Sequence, residues 1–307
     1  TLRFTDASAN RGARAKVLNW MAAEVEKRSG GSLKIEFHWG GALLKARAAM
    51  RGIGDGVADM GSIIAAYTPK EAVAYGIGDL PFQNSDPWVG MRAMYELATT
   101  NPAMKKAFDK HNLVYITNYT STGVQMLCKG AAVTTLDQIK GVKLRGIASY
   151  GKIFKAHGAN VVPMSIYKVY QGLDSGLIQC SQTYSYATKA LKHYEVADHL
   201  TKLNWGQIMG FGIVMNKDSY NRLNDEQRKV LHAVGYDLVN KLAEVMSTAN
   251  DEAERDMAAG INGKKIQMHE FAAEDMSKLL QDGQKFVDEW AANADAAGLP
   301  GEQILGE

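Results

Sequence analysis

Apolar and polar positions along this chain alternate between two periods. Leu2-Arg3-Phe4-Thr5 opens a strand-like segment, and residues 14–27 then carry Val17, Trp20, Met21 and Val25 at helical spacing until Gly30-Gly31 stops them. Leu33-Lys34-Ile35-Glu36-Phe37 alternates strictly, as a half-buried strand does. Residues 43–53 read as a helix, and residues 57–64 form a short apolar run. Strands and helices of this length in alternation predict an α/β layer fold.

A helix-rich stretch follows. Asp86-Pro87 opens a helix through Leu97, with the proline at the first turn, and Asn101-Pro102 opens another that reaches Asp109. Two long strands are predicted over 113–119 and 123–129 and a short one over 142–145. After a helix over 151–157, Val161-Val162 is extended. Ser165 caps a helix through Leu173, and 177–182 is a strand. Asn224 and Gln227 form a capping-box-like pair before Leu231, Val234, Leu238, Leu242 and Val245, and Gly260 ends the pattern. That spacing predicts one helix of roughly 35 residues, about 50 Å long. Its apolar face thins after Val245, where Thr248, Asn250, Asp251, Glu254 and Arg255 dominate. A helix that crosses from one domain to another explains both the length and the change of face.

At 307 residues the chain exceeds what one hydrophobic core usually serves, so two domains are expected. Lys plus Arg total 35 and Asp plus Glu total 33, for a net charge of +2. The basic residues are scattered, which gives no support for a nucleic-acid partner. The uncharged stretch between Lys202 and Lys217 is too short and too polar to span a bilayer. The start at Thr1, running straight into a strand, fits a mature protein whose export signal was removed. Cys128 and Cys180 are the two cysteines. They fit either a single disulfide or two buried thiols, and neither lies in a C-x-x-C.

Motifs for common chemistry are absent or incomplete. Gly146 to Lys152 matches G-x-x-x-x-G-K, but Ile153 stands where a P-loop needs a hydroxyl for magnesium. Gly52-Ile53-Gly54-Asp55-Gly56 follows a helix and reads as a turn. No H-E-x-x-H and no G-x-S-x-G occurs, so no metal, cofactor or catalytic residue is expected. One cluster remains. Gln125, Arg145 and Tyr184 sit in or just after predicted strands, and each can bond an oxyanion. Arg145 lies at a strand end before a glycine, where ligands of α/β sheets bind. Its guanidinium offers a planar fork that matches a carboxylate. On position alone, an anion grip and an ordinary surface arginine weigh equally.

Three stretches carry a resemblance: Leu136-Asp-Gln-Ile-Lys-Gly-Val-Lys-Leu-Arg145, Phe154-Lys-Ala-His-Gly-Ala-Asn-Val-Val-Pro-Met164 and Val169-Tyr-Gln-Gly-Leu-Asp-Ser-Gly176. With Gly56-Val-Ala-Asp-Met60 and Asp79-Leu-Pro-Phe82, they resemble the DctP-type substrate-binding proteins of TRAP transporters. The resemblance implies a two-domain α/β fold of the periplasmic-binding-protein kind, with hinge strands, a long bridging helix and a ligand cleft that closes. Domain I is expected over 1–122 plus 211–250, and domain II over 123–210 plus 251–307. Arg145 matches the arginine that grips the substrate carboxylate in that family. Two departures stand out. Gln125 occupies a position where the family often has a second arginine, and Tyr184 follows where an asparagine is common. One expected charge is therefore missing and a ring is added, which moves the expected ligand away from a C4-dicarboxylate toward an aromatic monocarboxylate or a sulfonate. Tyr67, Tyr167 and Trp205 are expected as further walls, and Asn10 and Arg11 as loop positions reaching the cleft. The implied protein is a periplasmic monomer. It is not an enzyme, and it serves the membrane components of a TRAP transporter. An enzyme using the same cleft is the rival reading.

Overall fold

The structure, a computed structural model, describes residues 1–306. The chain first lays down β1 (Leu2–Thr5), α1 (Gly12–Arg28), β2 (Ile35–His38), α2 (Ala49–Gly54), β3 (Met60–Ile64), α3 (Pro87–Thr100), α4 (Pro102–Asp109) and β4 (Leu113–Tyr119). It then crosses into β5 (Val124–Cys128), α5 (Leu136–Ile139), β6 (Lys143–Arg145), α6 (Ala148–Ala156), β7 (Asn160–Val162), α7 (Val169–Asp174), β8 (Cys180–Thr183), α8 (Ser185–Ala190) and β9 (His199–Trp205). A second crossing returns it to β10 (Phe211–Asn216), α9 (Lys217–Asn221) and α10 (Asp225–Ala259). It ends with β11 (Gln267–Glu270), α11 (Ala273–Ala296) and α12 (Gly301–Gly306).

Two mixed sheets result, one per lobe. The first runs β2-β1-β3-β10-β4, and the second runs β11-β9-β5-β8-β6-β7. Each lobe therefore takes a strand from later in the chain: β10 lies between β3 and β4, and β11 pairs with β9 at the edge of the second sheet. The two crossings, residues 120–123 and 206–210, are tied to each other. Ser121 N donates to Ile208 O at 2.9 Å, and Thr120 Oγ1 reaches both Gln207 Oε1 and Ile208 O at 2.9 Å.

The long helix forms as its sequence pattern predicts. Asn224 accepts from Gln227 N while Gln227 reaches back to the Asn224 backbone, and 35 residues follow without a break. Val230, Leu231, Val234, Leu238, Val239 and Leu242 are buried along its first half. There α10 approaches β4 so closely that a Cβ on Gly235 would lie 2.9 Å from Ile116 O, while Thr117 Oγ1 donates to Gly235 O at 2.6 Å. The second half keeps Met246, Ala253 and Met257 buried and meets the other lobe through polar groups as well. Glu254 accepts from Ser185 at 2.8 Å and pairs with Lys202 at 3.1 Å, and Asp256 pairs with Lys189.

Some local details differ from expectation. The first turn over residues 46–48 is a 3-10 segment ahead of α2, and Ser165 likewise caps a 3-10 turn that leads into α7. The cysteine question is settled. Cys128 and Cys180 stand opposite each other on antiparallel β5 and β8 and are joined by a disulfide. The end of the chain departs from the expectation that residues 251–307 group with the second domain. Trp290, Ala291, Ala294 and Ile304 share a core with Ile63, Tyr75 and Leu113 of the first lobe, and Trp290 Nε1 donates to Val73 O at 3.0 Å.

Candidate functional site

Strand ends of both lobes converge on one cavity. The first lobe contributes Arg14 from α1, Ile64 and Tyr67 from the end of β3, Tyr119 from the end of β4 and Phe211 from the start of β10. The second contributes Arg145 from the end of β6, Ile147, Ile166 and Tyr167, Tyr184 from the β8–α8 junction and Tyr186 from α8. At the mouth, Gly12 opens α1 at φ +77°, and a Cβ there would come within 2.7 Å of Ala190 Cβ at the end of α8. The two lobes thus meet over the cavity.

Arg145 is fully buried. Its Nε donates to Met164 O at 3.0 Å, Nη1 to Gln182 O at 2.7 Å and Nη2 to Tyr67 Oη at 3.1 Å. All three partners are uncharged oxygens, and among the described residues no acidic side chain pairs with it. A buried cation without a counter-charge is costly unless something anionic joins it. Two titratable groups near it stay neutral. His193 is buried, and burial together with the field of Arg145 lowers its pKa to about 3, so it is neutral at physiological pH. Burial also holds the Tyr184 phenol well above its usual range, although Arg145 opposes that shift. Tyr184 Oη is buried with no hydrogen-bond partner. Tyr67 Oη accepts from Arg145 and from Ile166 N at 2.8 Å, which leaves its own proton to donate.

The other buried arginine is built differently. Arg14 forms a two-pronged ion pair with Asp6, both bonds at 2.8 Å, and lies over the Tyr119 ring at 5.0 Å. Asp6 also accepts from Ser8 N and Ser62 Oγ, each at 2.8 Å. Burial pushes the Tyr119 phenol up to about 12 against the pull of Arg14.

Of the residues singled out from the sequence, Arg145, Tyr184, Tyr67, Tyr167 and Arg11 line this cavity. The structure places three elsewhere. Gln125 is buried in the second sheet, where its Oε1 accepts from Leu203 N at 2.8 Å and Asn204 N at 3.0 Å and its Nε2 donates to Asn204 Oδ1. It satisfies a bulge at Asn204, which sits at φ +46°. Trp205 packs edge-on against Tyr150 and Phe154 in the second lobe's core. Asn10 is exposed and accepts from Asn19 Nδ2 at 2.9 Å. Arg14, Asp6, Tyr119 and Tyr186 went unnoticed in the sequence. Tyr119 ends a predicted strand, as Arg145 does, and that shared position was the available signal.

A cavity closed between two α/β lobes, with a bridging helix and paired crossings, defines a solute-binding protein. The chain belongs to the bacterial extracellular solute-binding proteins, family 7 (DctP), whose family model matches residues 6–293. It is 28% identical over 234 residues to a solute-binding protein of Albidiferax ferrireducens, covering 73% of this chain and 67% of that one. A TRAP solute-binding protein from Rhodoferax ferrireducens, in complex with copurified benzoate, superposes with a TM-score of 0.88 at 20% identity, covering 99% of this chain and 95% of the other. An extracytoplasmic solute receptor of Bordetella pertussis binding pyroglutamic acid gives a TM-score of 0.87 at 19% identity, covering 99% and 98%. No helix among the described residues is long and apolar enough to cross a membrane.

Proposed function

We propose that this protein captures a small carboxylate with a ring-shaped body in the periplasm and delivers it, as a monomer, to the membrane components of a TRAP transporter. The observation that carries this reading is the buried Arg145, whose donors meet only neutral oxygens. A ligand carboxylate would supply the missing counter-charge in a water-poor site, where such a bond is roughly twice as strong as a neutral one. The unpartnered Tyr184 hydroxyl and the free Tyr67 proton are further donors for the same anion. Tyr119, Tyr167, Tyr186 and Phe211 give the rest of the cavity flat apolar walls, which suit a ring. The solved relatives with benzoate and pyroglutamate hold ligands of this kind.

A thermal-shift screen tests the reading. Benzoate, pyroglutamate and benzenesulfonate are compared with the neutral benzamide and benzyl alcohol. At about one hundred times Kd a ligand adds about 2.7 kcal/mol to stability, a rise in Tm of several degrees. Shifts confined to the anions are expected, with the carboxylates leading. Equal shifts from the neutral compounds would overturn the proposal, and a lead for benzenesulfonate would move the ligand class to sulfonates.

A further inference from the structure

We infer that Asp6 sets the charge selectivity of this cavity, restricting it to ligands with a single negative charge. The inference rests on the carboxylate reading above and adds to it the number of charges the ligand carries. Two buried arginines line the cavity, Arg14 and Arg145, yet they present different net charges to its interior. Arg14 is matched in both prongs by Asp6, so that pair is neutral as a unit. Arg145 alone is left without a counter-charge.

Asp6 is not free to swing away from Arg14. The Ser8 amide and the Ser62 hydroxyl each donate to it, one to each carboxylate oxygen, and its side chain is 1% exposed. A second carboxylate on the ligand would therefore approach Arg14 only by competing with a fixed carboxylate of the same sign. Juxtaposed like charges of this kind are how sites reject a wrong partner. The remaining lining cation, Arg11, sits exposed at the mouth, where water and salt screen it. Asp6 acts through Arg14 and is a positioning residue. Removing its charge while keeping its shape turns Arg14 into a second cation for the ligand.

Calorimetry on the wild type and Asp6→Asn uses three probes: benzoate, isophthalate, and 3-carbamoylbenzoate, which has the shape of isophthalate with one charge fewer. Wild type is expected to bind 3-carbamoylbenzoate at least about tenfold more tightly than isophthalate, and Asp6→Asn to reverse that order. Equal binding of these two by wild type, or a uniform change in all three on substitution, overturns the inference while leaving the carboxylate reading intact. Failure of wild type to bind any carboxylate, in this set or in the thermal screen, overturns both. If Asp6→Asn does not fold, a second pair decides. Arg14→Met leaves Asp6 uncompensated and should weaken benzoate at least about tenfold relative to Asp6→Asn/Arg14→Met, in which both charges are gone. Equal benzoate affinity in that pair overturns the charge argument.

Discussion

Asp79 and His193 are both buried, and burial moves their titrations in opposite directions. Asp79 accepts from Gly210 N at 3.0 Å beside the second crossing, while its other oxygen has no partner, and burial raises its pKa from 3.8 to about 7. His193 falls from 6.5 to about 3 through burial and the nearby Arg145. Between pH 3.8 and 7 the folded protein keeps a proton on Asp79 that the unfolded chain has lost, so this group makes stability fall as pH rises. Between pH 3 and 6.5 the unfolded chain protonates His193 and the folded protein does not, so this group makes stability rise. Each effect is worth about 4 to 5 kcal/mol by linkage, and over pH 4–6.5 they nearly cancel. Asp79→Asn should therefore unmask the histidine: urea denaturation should show stability climbing from pH 4 to 6.5 by a few kcal/mol more in the variant than in wild type. An unchanged profile in the variant would refute the assignment. Neither residue was legible in the sequence, because nothing local marks a carboxyl or an imidazole that only tertiary packing dehydrates. Arg145 was partly legible, since a strand end before a glycine is a local feature. Its lack of a counter-charge depends on residues from 67 to 182.

Local punctuation predicted the elements well. Asn101-Pro102 and Asp86-Pro87 place the starts of α4 and α3, and the side chains of Asn101 and Asp86 accept from the helical amides as caps do. The capping box at Asn224 and the stop at Gly260 frame α10. The thinning of its apolar face after Val245 marks where it leaves the first lobe for the polar contacts with α8 and β9. The strands β9, β10 and β11 were harder to see. Their pairing is non-local: β10 inserts between β3 and β4, so its all-buried pattern carries no alternation to read. Close approach is equally hidden. Gly235 reads as a mere weakness inside a helix, yet it lets α10 lie against Ile116 O. Gly235→Ala should destabilise the protein by about 1–3 kcal/mol through overpacking, despite the better helix propensity of alanine. Calorimetric unfolding that shows a gain in stability would contradict that account of the contact.

For the molecule as a whole, the alternating elements foretold α/β layers, the chain length two domains, and the over-long helix a bridge between them. It did not foretell that α11 returns to the first lobe, because a helix amphipathic along its length says nothing about which lobe it covers. Nor could it show Gln125 committed to the bulge at Asn204 in place of the cavity. The geometry brings Arg14 and Tyr67 from one lobe and Arg145 and Tyr184 from the other around a single space, the candidate site for the ligand. The central claim is that Arg145, buried without a counter-charge, is the grip for a carboxylate. Isothermal titration of the best-binding carboxylate from the thermal screen into wild type and Arg145→Met tests it most directly. The account predicts a loss of about 3 kcal/mol or more, over a hundredfold in Kd, with the variant still folded by circular dichroism. A folded variant that binds the carboxylate within about threefold of wild type, less than 1 kcal/mol, would contradict it.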